Sequence, residues 1–160
     1  MKLRRTALPV AMLVLILAAP VASWWLTGDL TNEAARQLAA QGVELDYEFR
    51  PLSLGPVGDR TVGVLACISA IGALGLLVRG TATRRLDSGW WPVLLPLVGA
   101  GAVVGFAWRV LTAGGIGANI GAGLTIMFGG PVLAVLLVAA AAAAALQMHR
   151  IRLRRHPQQL

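Results

Sequence analysis

Charged residues are scarce in this chain of 160 amino acids, and their scarcity excludes a water-soluble globule. Only 13% of the residues are charged, whereas 57% are hydrophobic and the mean hydropathy is +0.72. Soluble domains carry about 25% charged residues, so this chain has too little polar surface to face water on all sides. The same composition excludes a disordered protein and argues strongly against a cytosolic enzyme.

Side chains that carry chemistry are also few. The single cysteine, Cys67, permits no internal disulfide and no cysteine metal cluster. The apolar runs contain no Asp, Glu, His or Lys, the groups that membrane enzymes and proton-coupled transporters place within the bilayer. Ser69 has no base nearby in sequence that would make it a nucleophile. We therefore expect no catalytic, metal or cofactor site. Small four-helix multidrug exporters depend on a carboxylate in the first span, and its absence here argues against that family.

Four apolar runs are long enough to cross a membrane as helices. They cover residues 7–26, 62–78, 90–111 and 127–148. A hydrocarbon core of ~30 Å requires about 20 helical residues, within a range of about 17–25. No run alternates in the manner of a barrel strand. The sequence therefore predicts an all-α membrane protein, with residues 1–160 forming one polytopic domain of four transmembrane helices.

The basic residues predict the orientation of these helices. Ten of the fourteen Lys and Arg residues precede the first run, lie between the second and third, or follow the fourth. Because short cytoplasmic loops are enriched in Lys and Arg, we expect both termini in the cytoplasm and the loop 27–61 outside. The basic residues that give the net charge of +7 lie beside the apolar runs. This placement favours anionic lipid headgroups over nucleic acid as the partner of the chain. All basic residues except Lys2 are Arg, a composition typical of high-GC bacteria, so we expect a bacterial inner membrane.

Two sets of residues are predicted to lie at the headgroup level. Amphipathic rings prefer this depth, and all five tryptophans fall near the ends of the runs: Trp24, Trp25, Trp90, Trp91 and Trp108. Four arginines of the basic cytoplasmic tail, residues 149–160, are expected to contact anionic headgroups: Arg150, Arg152, Arg154 and Arg155. These arginines also favour the predicted topology, and the sequence does not separate the two roles.

The first run has a rival interpretation as a cleaved signal peptide, because a basic start followed by an apolar stretch is typical of one. Cleavage after Ala19 would place Pro20 directly after the cut, and cleavage after Ala22 would place it three positions before the cut. Both arrangements argue against a cleavage site. The pair Trp24-Trp25 is also typical of an anchor at the membrane interface. A retained first helix is therefore the favoured interpretation.

The outer loop contains two local patterns. Thr31-Asn32-Glu33 predicts the start of a short helix with Leu30, Ala34 and Leu38 on one face, and Gly42 predicts its end. Residues 43–50 alternate between apolar and charged side chains, which predicts a β-strand. A lone strand leaves its ladder unpaired, so this one would pair with residues 52–54, a second copy or another protein.

Glycine is concentrated between the third and fourth runs, in a predicted outer segment at residues 113–126. A helix from Ile116 to Met148 would measure about 50 Å, which exceeds the membrane thickness. We therefore expect a break near Gly129-Gly130-Pro131. The glycine-rich segment would then lie at the outer surface or dip into the membrane.

Two glycine pairs and one arginine are the remaining candidates for interactions. Gly101 with Gly105, and Gly117 with Gly121, are spaced to share a helix face, where small residues let backbones approach closely. We expect most of them to pack within the protein, with a seam to a partner as the alternative. Arg109 is the one charged residue inside a run. It is expected to reach the headgroups beside Trp108, or else to contact an anion or one of three loop carboxylates: Glu44, Asp46 and Glu48.

Together these features predict a small integral membrane protein without enzymatic activity. It would be a scaffold or accessory subunit that interacts with other membrane proteins. The alternative is a transporter or channel protomer that forms its pathway by oligomerising. The expected partners are the lipid bilayer and either a second copy or another membrane protein, with no cofactor.

Overall fold

Four long apolar helices dominate the computed structural model, which describes residues 3–43, 45, 47–114 and 118–155. In chain order the helices are α1 (Leu3–Thr27), α2 (Glu33–Ala40), α3 (Gly55–Ala82), α4 (Trp91–Leu111), α5 (Ala118–Leu124) and α6 (Gly130–Arg155). A 3₁₀ turn at Ser88–Trp90 leads into α4, and a π-helical turn at Thr125–Gly129 joins α5 to α6. Four helical stretches are long and apolar enough to cross a membrane. The prediction of an all-helical protein with four helices long and apolar enough to span a membrane is therefore confirmed for the described residues.

The long helices pack in a row in which α1 lies inside. α1 packs against both α3 and α4, and α4 packs in turn against α6. Side chains of α1, α3 and α4 and of the turn before α4 form one apolar cluster: Ala11, Leu15, Ala73, Leu77, Leu86 and Leu94. Because α6 stands at the end of the row and packs mainly against α4, much of its surface is left uncovered.

We name the two ends of the row after the parts of the chain that lie there. The terminal end holds the start of α1, the turn between α3 and α4, and the end of α6. There Leu8 lies against Gly80, and Gln147 lies against Gly89. The loop end holds α2, α5 and the irregular chain around α2.

α1 and α4 approach closely where α1 contains a proline. A Cβ added to Gly105 would overlap the carbonyl oxygen of Pro20, and one added to Gly101 would lie 3.0 Å from the Pro20 ring. Beside this contact the Ser23 hydroxyl donates a hydrogen bond to the Ala102 carbonyl at 2.8 Å. The absence of side chains at the two glycines therefore lets the helices meet along their backbones.

α3 begins before the predicted second span, at Gly55, and so shortens the loop that was predicted for residues 27–61. The Asp59 carboxylate accepts hydrogen bonds from the Ser53 hydroxyl at 2.7 Å and from the Leu54 N–H at 2.9 Å. Because these bonds tie the carboxylate to the helix start, Asp59 is accommodated within α3. The apolar run alone could not show this extension.

The predicted break near Gly129-Gly130-Pro131 is wrong, because described residues 118–155 are helical throughout. Gly130 has right-handed helical angles, φ −58° and ψ −57°. A proline removes one helix hydrogen bond and its ring crowds the carbonyl four residues earlier. Here the π-helical turn Thr125–Gly129 ends two residues before Pro131 and includes the position four residues before it, so the helix absorbs the defect without ending. Residues 115–117 lie outside the described part of the chain.

The loop contains one short helix, α2, which begins next to the predicted Thr31-Asn32-Glu33 start. The Asn32 side chain accepts a hydrogen bond from the Ala35 N–H at 2.7 Å and so caps the helix. Gly42 has φ +85° just beyond the helix end. Ala35 is buried, whereas Ala34, from the predicted face, is exposed.

The β-strand predicted for residues 43–50 is wrong for the positions that the structure describes, none of which lies in a strand. The Phe49 N–H donates to the Leu111 carbonyl at 3.2 Å, and the Phe49 ring stacks on Trp108 with 6.3 Å between centroids. This part of the loop therefore binds the end of α4 instead of a partner strand. Residues 44 and 46 lie outside the described part.

Candidate functional site

Polar side chains within the spans take part in helix packing. Ser23 bonds to α4, as described above, and the Trp91 indole N–H donates to the Thr81 hydroxyl at 3.0 Å. Ser69 is exposed on α3. In the described ranges, no three His, Cys, Asp or Glu side chains are grouped so that they could hold a metal ion. The candidate sites that the geometry offers are therefore a helix surface, a cluster at the loop end and a cavity at the terminal end.

The uncovered side of α6 is the first of these features. We call the stripe of Val135, Val138, Ala142, Ala145 and Leu146 the free face, and all five residues are exposed. In the most apolar 18-residue stretch of the fourth span only 6% is buried, compared with 22–28% in the corresponding stretches of the other three spans. The fold itself therefore provides no cover for this face.

The opposite side of α6 packs inward. Ala140 and Gln147 are buried there, and Leu136 lies near Gly99 of α4. Gln147 is only 3% exposed, and its buried Nε2 has no hydrogen-bond partner among the described residues. The two sides of the helix thus differ clearly: one is a packed seam and the other a bare surface.

Arg109 lies at the loop end with its guanidinium over the ring of Trp24, 4.8 Å from Cζ to the ring centroid. This distance is within the range of a cation–π interaction. The Arg109 Nε is buried without a hydrogen-bond partner in the described part of the chain. Among the loop carboxylates considered as partners, Glu48 forms no ion pair within the described residues, and Glu44 and Asp46 lie outside them.

Asp29 lies at the start of the loop and fixes the chain that leads into α2. Its carboxylate accepts a hydrogen bond from the Thr31 N–H at 3.0 Å and pairs with Arg36 Nη2 at 3.3 Å. Burial alone would raise the pKa of Asp29, but the Thr31 hydrogen bonds and the charges of Arg36 and Arg109 hold this pKa below its ordinary value. These contacts favour the ionised form of Asp29 and join the start of the loop to α2.

The five tryptophans lie at the two ends of the row. Trp24, Trp25 and Trp108 are at the loop end, while Trp90 and Trp91 are at the terminal end. Several of them also pack within the protein: Trp25 covers Gly63, and Trp108 stacks on Phe49. Some of the tryptophans therefore take part in internal packing, and their position at the membrane interface stays a prediction.

Three of the four glycines singled out from the sequence are described. Gly101 and Gly105 lie against α1 within the chain, and a Cβ on Gly121 would meet Val110 of α4 at 3.5 Å. Gly117 lies outside the described residues. The glycines that the structure describes thus serve contacts between helices of the same chain.

The basic tail continues α6 as far as Arg155. Arg150 and Arg152 are exposed on this helix, and Arg154 lies in its last turn. Residues 156–160 lie outside the described part of the chain. The tail arginines therefore extend from the terminal end along a helix.

Two features of the terminal end were missed by sequence reasoning. One is a cavity between α1 and α3, with Arg79 and Arg85 among its lining residues. Their juxtaposition depends on a reversal of the chain after α3, which no local motif indicated. The other is the buried amide of Gln147, whose only sequence signal was a polar residue at the end of an alanine-rich run.

The fold and these surfaces define an all-helical protein with four apolar helices able to span a membrane, a multi-pass architecture. The chain matches no known family, no curated protein and no solved structure. Its function therefore has to be argued from its own residues.

Proposed function

We propose that this protein is a non-enzymatic accessory or scaffold subunit that binds another membrane protein through the free face of α6. The observation that carries the proposal is the bare surface of α6, in a fold whose other three spans each bury a larger share. α3 and α6 stand at the two ends of the row, and of these two helices α6 has the smaller buried share, 6% against 22%.

The residue types of α6 support a protein partner in addition to lipid. Lipid tails are as apolar as leucine, so exposed Leu and Val side chains alone need no partner. Close helix contacts in membranes instead use small residues, and this chain already uses Gly101 and Gly105 in that way. The fourth span carries seven consecutive alanines, 139–145, of which Ala140 is the buried one. The others leave a smooth surface beside the seam with α4.

The proposed setting is a bacterial inner membrane, with both termini in the cytoplasm and the loop end outside. The asymmetry of the basic residues supports this orientation. Exposed Arg150 and Arg152 would then lie on the cytoplasmic side, beside the anionic headgroups.

Mass measurement of the detergent-solubilised protein with its co-purified partners tests the proposal. We expect a complex that contains a different membrane protein. Ala142→Leu should release the partner and leave the chain folded, because its side chain is added to the free face. The matched variant Ala140→Leu adds the same atoms to the buried seam and should lower the melting temperature of the isolated chain. A partner that is retained equally by wild type and Ala142→Leu would contradict the assignment of the free face.

The second candidate, an oligomeric transporter or channel protomer, makes a different prediction in the same measurement. The free face of one copy would then pack on that of another, and the mass would be a multiple of the single chain. Such a result, with dissociation by Ala142→Leu, would replace the accessory-subunit proposal.

A further inference from the structure

A cavity of about 310 Å³ lies between the start of α1 and the end of α3, at the terminal end of the row. Leu8 and Leu76 contribute apolar wall, while Arg79, Thr83 and Arg85 contribute polar groups. Both arginines are exposed. The cavity therefore combines an apolar interior with two positive charges, and it does so outside the free face of α6.

The turn after α3 places the two arginines together. The Arg84 N–H donates to the Thr81 carbonyl and the Arg85 N–H to the Gly80 carbonyl, both at 2.9 Å. These are the two hydrogen bonds of a Schellman motif, which turns the chain back at a helix C-terminus. Arg85 is thereby held over the end of α3, on the side of the cavity that Arg79 also lines.

Arg84 occupies the position in this motif that glycine usually takes. It has φ +53°, the one positive φ of a non-glycine residue in the described chain. This conformation costs a residue with a Cβ about 1–2 kcal/mol. Leu86 follows the turn and is buried in the apolar cluster with Ala11 and Leu15, which fixes the turn against α1. The arrangement of the arginines is thus held by packing despite an unfavourable backbone.

Neither arginine of this cavity, Arg79 or Arg85, forms a salt bridge with the described residues. Asp87 is the one acidic residue in the sequence between α3 and α4, and its carboxylate accepts a hydrogen bond from the Gly89 N–H at 2.9 Å. Positive charge near a helix C-terminus is favoured by the helix dipole. This explains one arginine at the end of α3, but it does not require two beside an apolar cavity.

The cavity lies at the same end of the row as Trp90 and Trp91. Tryptophans are typical of the membrane interface. Leu8 of α1 and Gly80 of α3 both line the cavity and pack closely, since a Cβ on Gly80 would lie 2.7 Å from Leu8 Cδ2.

We propose that this cavity binds one anionic glycerophospholipid. Its phosphate lies between the guanidinium groups of Arg79 and Arg85, and an acyl chain lies along Leu8 and Leu76. Arginine matches phosphate well, because its planar guanidinium can donate two parallel hydrogen bonds. Basic pockets between transmembrane helices on the cytoplasmic side are known to take such headgroups. The site is independent of the proposed partner of α6.

The test uses the full-length protein, purified in detergent and stripped of lipid. Phosphatidylglycerol and phosphatidylcholine are titrated separately, and bound lipid is counted by native mass spectrometry. We expect one phosphatidylglycerol per chain at low lipid concentration and at least tenfold weaker binding of phosphatidylcholine. Equal binding of the two lipids would overturn the proposal without the need for any variant.

Two double variants with the same loss of charge locate the site. Arg79→Gln/Arg85→Gln should bind phosphatidylglycerol about thirtyfold more weakly, which corresponds to about 2 kcal/mol, from roughly 1 kcal/mol for each arginine near an anionic headgroup. Arg50→Gln/Arg60→Gln removes two exposed arginines from the loop end and should bind like wild type. Equal weakening in both variants would mean general charge attraction and would overturn the cavity assignment.

Inorganic phosphate distinguishes the lipid from a free anion. If millimolar phosphate raises the melting temperature of wild type as much as phosphatidylglycerol does, the site is one for a soluble anion and the lipid proposal is wrong. Should the cavity variant fail to fold, the two lipid titrations and the phosphate experiment on wild type decide the question.

Discussion

The carbonyl oxygen of Pro20 lies directly against Gly105, with no room for a side chain between α1 and α4. One α4 turn away the Ser23 hydroxyl bonds to the Ala102 carbonyl at 2.8 Å, and so joins the same two helices. In a membrane, association of helices depends on packing and hydrogen bonds, because lipid removes the hydrophobic driving force between them. This contact between two backbones is therefore a principal link between the halves of the row.

Gly105→Ala should destabilise the protein, because the new Cβ would overlap the Pro20 carbonyl and push the helices apart. Overpacking of this kind costs about 1–3 kcal/mol in the free energy of unfolding. The melting temperature in detergent measures the effect. Gly72→Ala is the matched control on α3, since a Cβ there meets nothing within 4 Å. Similar melting temperatures for the two variants would contradict the close approach.

The glycine spacing of α4 predicted that Gly101 and Gly105 share a face, because helical geometry alone determines that relation. It did not show that Pro20 would be opposite them, since the pairing of helices depends on the whole chain. The four spans were predictable from composition and length, which act locally. The predictions of a strand at residues 43–50 and of a break near Gly130 failed, because Phe49 contacts α4 and a π-helical turn precedes Pro131.

The candidate sites were less predictable than the spans. The tail arginines were visible as a run in the sequence. The position of Arg79 and Arg85 beside one cavity was not visible in the sequence. It requires a positive φ at Arg84, a conformation that residues with a Cβ rarely adopt. The free face of α6 also had no local signal. It exists because α6 is last in the row, which is a property of the packing order.

The ion pair at Asp29 should make the loop end sensitive to acid. The pKa of Asp29 is lowered in the folded state, so its carboxylate stabilises the fold above its unfolded pKa of about 4, and this contribution is lost as the pH falls through the lower folded value. Asp29→Asn should therefore lower the melting temperature slightly at pH 7 and converge with wild type as the pH falls below about 4. Melting curves in detergent across this range measure the difference.

The control for this pH dependence is Glu48→Gln, which removes an exposed carboxylate that forms no ion pair within the described residues. It should melt like wild type at neutral pH. A constant difference between wild type and Asp29→Asn at all pH values would contradict a role for the ionised carboxylate.

Gln147→Leu should stabilise the isolated chain. Gln147 is buried against Gly89, and its Nε2 lacks a hydrogen-bond partner in the described residues. A buried polar group without a partner costs about 1–3 kcal/mol, and leucine has a similar volume without this cost. A rise in the melting temperature is the expected result. Gln37→Leu, on the exposed surface of α2, should leave it nearly unchanged. A lower melting temperature for Gln147→Leu would mean that the amide has a partner.

The predicted topology can be tested with single cysteines at Ser53 and Ser88, which are exposed at opposite ends of the row. In a Cys67→Ser background, a membrane-impermeant thiol reagent added to intact cells should label a cysteine at residue 53. A cysteine at residue 88 should be labelled only after permeabilisation, because ten of the fourteen basic residues favour the cytoplasm for its end. Labelling of both positions from outside would contradict the two-sided arrangement, and the reverse pattern would invert it.

α1 should remain part of the mature protein, because it packs against both α3 and α4 and supplies Ala11 and Leu15 to the apolar cluster. Removal of the chain before Ser23 would strip these residues from Leu77, which is fully buried in their presence. The intact mass of the protein extracted from membranes should therefore include the first span. As an internal control, the same sample should contain the C-terminal peptide, which shows that any loss of mass arose at the N-terminus. A mature chain beginning near Ser23 would identify the segment as a cleaved signal, leave three spans and remove the Pro20 contact on which the α4 seam depends.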